Sequence, residues 1–183
     1  MKFPEQYPKM SKMSNFETGI TAFESGNYAE ALQILLPLAE SGNPEAQFSI
    51  GCIYDPIFGI QSDAAKAILY YHQAAEQGHL VAQNNLATLY LSDKNVEQAI
   101  KWYRKAAELG FPFAQEILGD IYSLGLGIDD GEAAIIKDEL AAIKWYKKAA
   151  LQGFSTAKRR LSEMSAEDTK IDLEIGKLRS PKS

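Results

Sequence analysis

The sequence predicts an all-α fold, an α-solenoid of stacked antiparallel helix pairs. Three observations predict it: a glycine-marked segment returns along the chain, small and aromatic residues keep a fixed phase to that glycine, and no strand pattern competes. The returning segment is LAESG at 38–42, AAEQG at 74–78, AAELG at 106–110 and AALQG at 149–153. Its closing glycines, Gly42, Gly78, Gly110 and Gly153, are 36, 32 and 43 residues apart. Spacings of this order belong to helical arrays, in which each unit buries its apolar stripe against the next.

The first helix of each pair follows a glycine. Four residues on stand Ala46, Ala82, Ala114 and Ala157; eight on, Ile50, Leu86, Leu118 and Leu161; nine on, the small residues Gly51, Ala87 and Gly119; twelve on, Tyr54, Tyr90 and Tyr122. Offsets of four, eight and twelve share one helical face. Pro44 and Pro112 fit first-turn positions, where a missing N–H does no harm. The second helix leads up to the next glycine. Eleven before it stand Ala67, Ala99 and Ala142; eight before, Tyr70, Trp102 and Trp145; seven before, Tyr71, Tyr103 and Tyr146. The fixed phase of these rings assigns them to the core rather than to an aromatic binding stripe. The glycine itself suits a left-handed C-terminal cap.

At this point the residues resemble a known family. YSLGLGI at 122–128 with IKWYKKAALQGF at 143–154 is similar to the Sel1-like repeat, a relative of the tetratricopeptide repeat. AQNNLATLY at 82–90 with QAIKWYRKAAELGF at 98–111, and AQFSIGCIY at 46–54 with FGIQSDAAKAILYYHQAAEQG at 58–78, match as well. GITAFESGNYAEALQILLPLA at 19–39 resembles a tetratricopeptide unit, with Gly19, Ala22, Gly26, Tyr28, Ala31 and Leu35 at its packing positions. The resemblance implies a right-handed superhelix. The resulting division is a tail at 1–14, a tetratricopeptide-like pair at 15–41, three Sel1-like repeats plus a capping helix at 42–164, and a tail at 165–183. The second repeat replaces a glycine-rich loop with LSDKNVE at 91–97, read as a short turn. The third carries an insertion, GIDDGEAAIIKDE at 127–139, which is a candidate contact loop.

Chemistry is sparse. The chain has 183 residues, 46% of them hydrophobic, and a formal net charge of -5, which disfavours nucleic acid as a partner. Cys52 is the one cysteine, so no internal disulfide forms. His72 and His79 do not close a zinc site. GLGIDDG at 125–131 lacks the residues of a phosphate loop or an EF-hand. No nucleophile elbow is present. The disulfide-rich Sel1-like proteins associated with β-lactams carry paired cysteines that this chain lacks. No metal and no cofactor are expected, and the chain is not expected to be an enzyme.

The expected function is that of a non-catalytic protein-interaction scaffold. By resemblance to tetratricopeptide repeats, positions three, six, ten and thirteen after each marker face a concave groove. These are Glu45, Phe48, Cys52 and Asp55; Val81, Asn84, Thr88 and Leu91; and Phe113, Glu116, Asp120 and Ser123. Phe16, Ile20 and Phe23 join them from the N-terminal unit, and Asn85 falls where many such repeats carry an Asn that bonds a peptide backbone. The partner is then a protein or peptide with apolar anchors and basic charge. A structural or self-assembling role is the alternative reading, and a hydrolase a more distant one. The chain is expected to be a monomer of the bacterial cytoplasm, with no signal peptide and no membrane insertion. Signal-independent export is the other route left open.

Overall fold

The computed structural model describes residues 14–57, 61–125 and 137–165. The insertion residues 126–136 and most of both tails lie outside them. The described residues are helical with connecting turns, and none of them forms a strand. The elements are α1 (Asn15–Glu24), α2 (Tyr28–Glu40), α3 (Pro44–Tyr54), α4 (Ala64–Glu76), α5 (Leu80–Ser92), α6 (Val96–Glu108), α7 (Pro112–Leu124) and α8 (Glu139–Leu151). A last helix, α9, spans 155–165.

Local chemistry sets the helix ends. Ser14 and Glu17 form a reciprocal capping box at α1, and Asn43, Asp63, Asn95 and Asp138 each accept from a first-turn N–H. Each such cap contributes on the order of 1 kcal/mol. Pro44 and Pro112 open α3 and α7 as expected. At the other end, Gly42, Gly78, Gly110 and Gly153 all have φ between 88° and 96°, the left-handed region that a Cβ disfavours. The residue after each glycine then reaches back, as where Phe111 N donates to Ala106 O at 2.9 Å, which closes the cap. In the second repeat the turn between α5 and α6 is short, and Lys94 takes the left-handed conformation at φ 58° without being glycine.

The chain divides into two compact units, one through His79 and one from Leu80. In the first, α1 packs on α2, α2 on α3 and α3 on α4. Its core is Ala22, Ala31, Leu32, Leu35, Ala39, Ala46, Ile50 and Ile53, so α1 and α2 share one interior with α3. Gly19 lets α1 approach α2: a Cβ there would lie 2.6 Å from Leu35 Cδ2. In the second unit, α5 packs on α6, α6 on α7 and α7 on α8. Ala142, Tyr146, Ala149 and Ala157 bring α9 into the core, with Leu161 and Met164 against them. The aromatic positions separate by depth. Tyr71, Tyr103, Tyr146, Trp102 and Trp145 are buried, whereas Tyr54, Tyr70 and Tyr90 are half-buried.

Candidate functional site

Position ten after each marker glycine, assigned to the groove, also serves the helix pair itself. The Tyr146 hydroxyl donates to Asp120 Oδ1 at 2.6 Å. Tyr103 and Thr88 share a hydrogen bond of 2.9 Å between their hydroxyls. Tyr71 donates to Asp55 Oδ2 at 2.9 Å and lies 3.4 Å from Cys52 Sγ. Burial holds the Tyr146 hydroxyl above the ordinary tyrosine range, and the adjoining Asp120 carboxylate adds to it. Burial raises Tyr103 in the same way. Cys52 is pushed up to about 11, chiefly by burial, with the Tyr71 hydrogen bond opposing and the Asp55 charge adding.

This geometry corrects one assignment. Asp55 was expected on the groove surface, but it is only 1% exposed. It is consumed internally, accepting from Tyr71 Oη and from Ile57 N at 2.7 Å. The physical reason is that a carboxylate at the end of α3 satisfies a buried phenol and the first turn of the following loop at once.

In the first unit, Phe16, Ile20 and Phe23 are half-buried against the core. Phe48 is half-buried and stacks on His79 with ring centroids 4.4 Å apart, while Glu45, exposed, pairs with His79 Nε2 at 3.3 Å. In the second unit, Val81 is exposed, and Asn84, Asn85 and Thr88 are half-buried along α5. Asn84 Oδ1 is enclosed without a hydrogen-bond partner among the described residues. On α7, Phe113 is 55% exposed and meets Phe154 edge-on at 4.8 Å and Phe111 at 5.6 Å. Glu116 is half-buried, and Asp120 pairs with Arg160 Nε of α9 at 3.4 Å.

Sequence reasoning missed a set of buried glutamines. Gln47, Gln83 and Gln115 stand five residues after their glycines and are 5%, 3% and 3% exposed. Gln47 Nε2 donates to Ala39 O at 3.0 Å, and Gln115 Nε2 to Ala107 O at 2.9 Å. Their amide oxygens accept from Gln77 and Gln152. Gln47 and Gln115 therefore each tie a C-terminal carbonyl of one helix pair to the first helix of the next. The Ala–Gln dipeptide at one phase of all three repeats was the available signal.

Among the described residues there is no group of three or more His, Cys, Asp or Glu placed to hold a metal ion. Within the same residues no helix is long and apolar enough to cross a membrane. What the fold defines is a helical-repeat protein in which short amphipathic pairs share their cores. The Sel1 repeat model matches residues 44–79, 80–111 and 112–154, and the chain belongs to the Sel1 repeat family. It is 34% identical over 77 residues to protein sel-1 homolog 2 of Mus musculus and 35% identical over 72 residues to that of Homo sapiens. Those matches cover 42% and 39% of this chain but only 11% and 10% of the relatives. Among solved structures, a protective antigen of uropathogenic Escherichia coli with an SLR fold superposes with a TM-score of 0.69 at 27% identity, over 84% of this chain and 34% of that one. A Sel1 repeat protein from Oxalobacter formigenes gives a TM-score of 0.59 at 36% identity, over 72% of this chain and 97% of that one.

Proposed function

We propose that this protein is a non-catalytic scaffold that binds a protein or peptide segment along the first helices of its repeats. The observation that carries the reading lies on α7. Phe113 projects from an aromatic trio into solvent, and Glu116 and Asp120 follow it at helical spacing. An apolar anchor beside carboxylates suits a segment with an apolar side chain and basic charge. In the second unit Val81, Asn84, Asn85 and Thr88 would add contacts from α5; in the first, Phe16, Ile20, Phe23, Glu45 and Phe48 would do so. The internal pairing of Asp120 with Arg160 sets a specificity requirement, because an incoming cation must compete with that guanidinium.

The test compares capture of partners from the native cell by the wild-type chain and by Phe113→Ala and Glu116→Lys, with circular dichroism as the control for folding. A partner held by the wild type and lost by both variants supports the groove. Equal recovery by all three removes the assignment. Light scattering after size exclusion at micromolar concentration addresses self-assembly, for which a monomer is the expected result.

A further inference from the structure

The second helices α6 and α8 carry a charge pattern that the groove reading does not use. Nine, six and five residues before the closing glycine stand Lys101, Arg104 and Lys105 on α6, and Lys144, Lys147 and Lys148 on α8. The corresponding places on α4 hold Leu69, His72 and Gln73, so the repeat does not demand basic residues there. Lys105 and Lys148 lie over the Trp102 and Trp145 rings at 4.1 and 4.3 Å, and Arg104 Nη2 donates to Tyr122 Oη at 2.8 Å. Lys101, Lys144 and Lys147 are exposed, and none has a carboxylate within ion-pair distance among the described residues.

On α8 the lysines stand between two leucines. Leu140 and Leu151 are 81% and 88% exposed. With Lys144 and Lys147 they follow one helical stripe, and at 1.5 Å per residue they are about 16 Å apart along the axis. On α6 the same two places are Glu97 and Glu108. The leucines are therefore not needed by the fold, and each leaves a large apolar side chain in water.

We propose that the outer face of α8 is a second docking surface, for an acidic protein segment with two apolar side chains about three helical turns apart. Those side chains pack beside Leu140 and Leu151, and carboxylates between them meet Lys144 and Lys147. The cations of α6, which packs on the same α7, add to the attraction at longer range. A flat anionic bilayer fits less well, because it would also bring the exposed Glu139 beside Leu140, and Glu97 and Glu108 of α6, towards negative headgroups.

The probe is a synthetic helical peptide with leucines eleven residues apart and glutamates between them. Its counterpart has lysines for the glutamates, and a third probe is vesicles of phosphatidylcholine and phosphatidylserine. The full chain should bind the acidic peptide, less tightly as salt rises. The double variant Lys144→Glu/Lys147→Glu should bind it roughly tenfold more weakly, since each reversal turns an exposed attraction into a repulsion. Leu140→Ser/Leu151→Ser should also weaken it, and both variants should melt as the wild type does, because all four side chains lie outside the core. The proposal is overturned if the acidic peptide does not bind, if the lysine peptide binds equally well, or if the vesicles retain the protein while the acidic peptide does not bind.

Discussion

Tyr146 and Asp120 join the two helices of the last complete repeat, hydroxyl to Oδ1 at 2.6 Å, with Arg160 of α9 on the same carboxylate at 3.4 Å. The tyrosine seven residues before Gly78, Gly110 and Gly153 thus bonds back to the preceding helix or its cap, and only the partner changes, from Asp55 to Thr88 to Asp120. One phenol at one phase closes each pair, so residues proposed for the groove also hold the helix pairs together.

Tyr146→Phe keeps the ring and removes this bond. A hydrogen bond to a charged group contributes about 1.5–3 kcal/mol, and the partly exposed Asp120 places the loss near the lower end. Tyr103→Phe breaks a neutral pair and should cost about 0.5–1.5 kcal/mol. Urea unfolding of the two variants measures the difference; equal losses would show that the Asp120 charge adds nothing. The Tyr146 ionisation is raised on folding, so its contribution is complete below the ordinary tyrosine range and is lost as pH rises above it. The gap between wild type and Tyr146→Phe should accordingly narrow in alkaline solution.

Gly119 is small because Tyr146 lies against it. A Cβ there would stand 2.5 Å from Tyr146 Cδ1, and Gly51 has the same relation to Tyr71. The second repeat holds Ala87 at this position. Gly119→Ala gains about 1 kcal/mol of helix propensity but forces the ring to move, and overpacking costs about 1–3 kcal/mol. The expected result is a lower melting temperature with the helix content retained. A rise in melting temperature would show that the ring yields freely.

Cys52 should react slowly while the chain is folded. Its thiol is pushed up to about 11, mainly by burial, so little thiolate exists near neutral pH. Alkylation by iodoacetamide at pH about 8 should accelerate markedly on adding urea, because an unperturbed thiol ionises near ~8.5. The linkage runs in the same sense as for Tyr146: the folded thiol keeps its proton while the unfolded one loses it, so stability falls as pH rises from the ordinary thiol range to about 11. Equal labelling rates with and without urea would contradict the burial of the sulfur.

The repeat was legible because its determinants are local and periodic. Gly42, Gly78, Gly110 and Gly153 announce the caps, the alanines at fixed phase announce close helix approach, and the tyrosines announce the filled space between. The candidate surface was less legible, because exposure depends on what a side chain meets across the fold. Asp55 has the polarity of a surface residue and is buried by Tyr71, a partner sixteen residues away. Tyr54 and Tyr70 share a phase logic with the core rings yet stack on each other at 6.4 Å at the margin. Polarity alone likewise hid the glutamines, whose burial only the neighbouring helix end explains.

Those glutamines lead to a prediction about how repeats are joined. Gln115 is 3% exposed and holds Ala107 O through its amide N–H while its oxygen accepts from Gln152 at 2.9 Å. Ala107 lies in the last turn of α6, where its carbonyl accepts from Gly110 N at 3.1 Å, and Gln115 adds a second bond that stitches the end of α6 to the start of α7. Gln115→Leu keeps the volume but leaves that carbonyl with less to bond and Gln152 without its acceptor, at a cost of about 1–3 kcal/mol. Gln152→Ala alone should cost less, because Gln152 is exposed and water replaces it. In the double variant the Gln115–Gln152 bond is already absent, so the two losses should sum to more than the double variant shows, by about 0.5 kcal/mol or more. A denaturant-based double-mutant cycle reads this coupling directly. Strict additivity would mean that the glutamine pair fills space without joining the repeats.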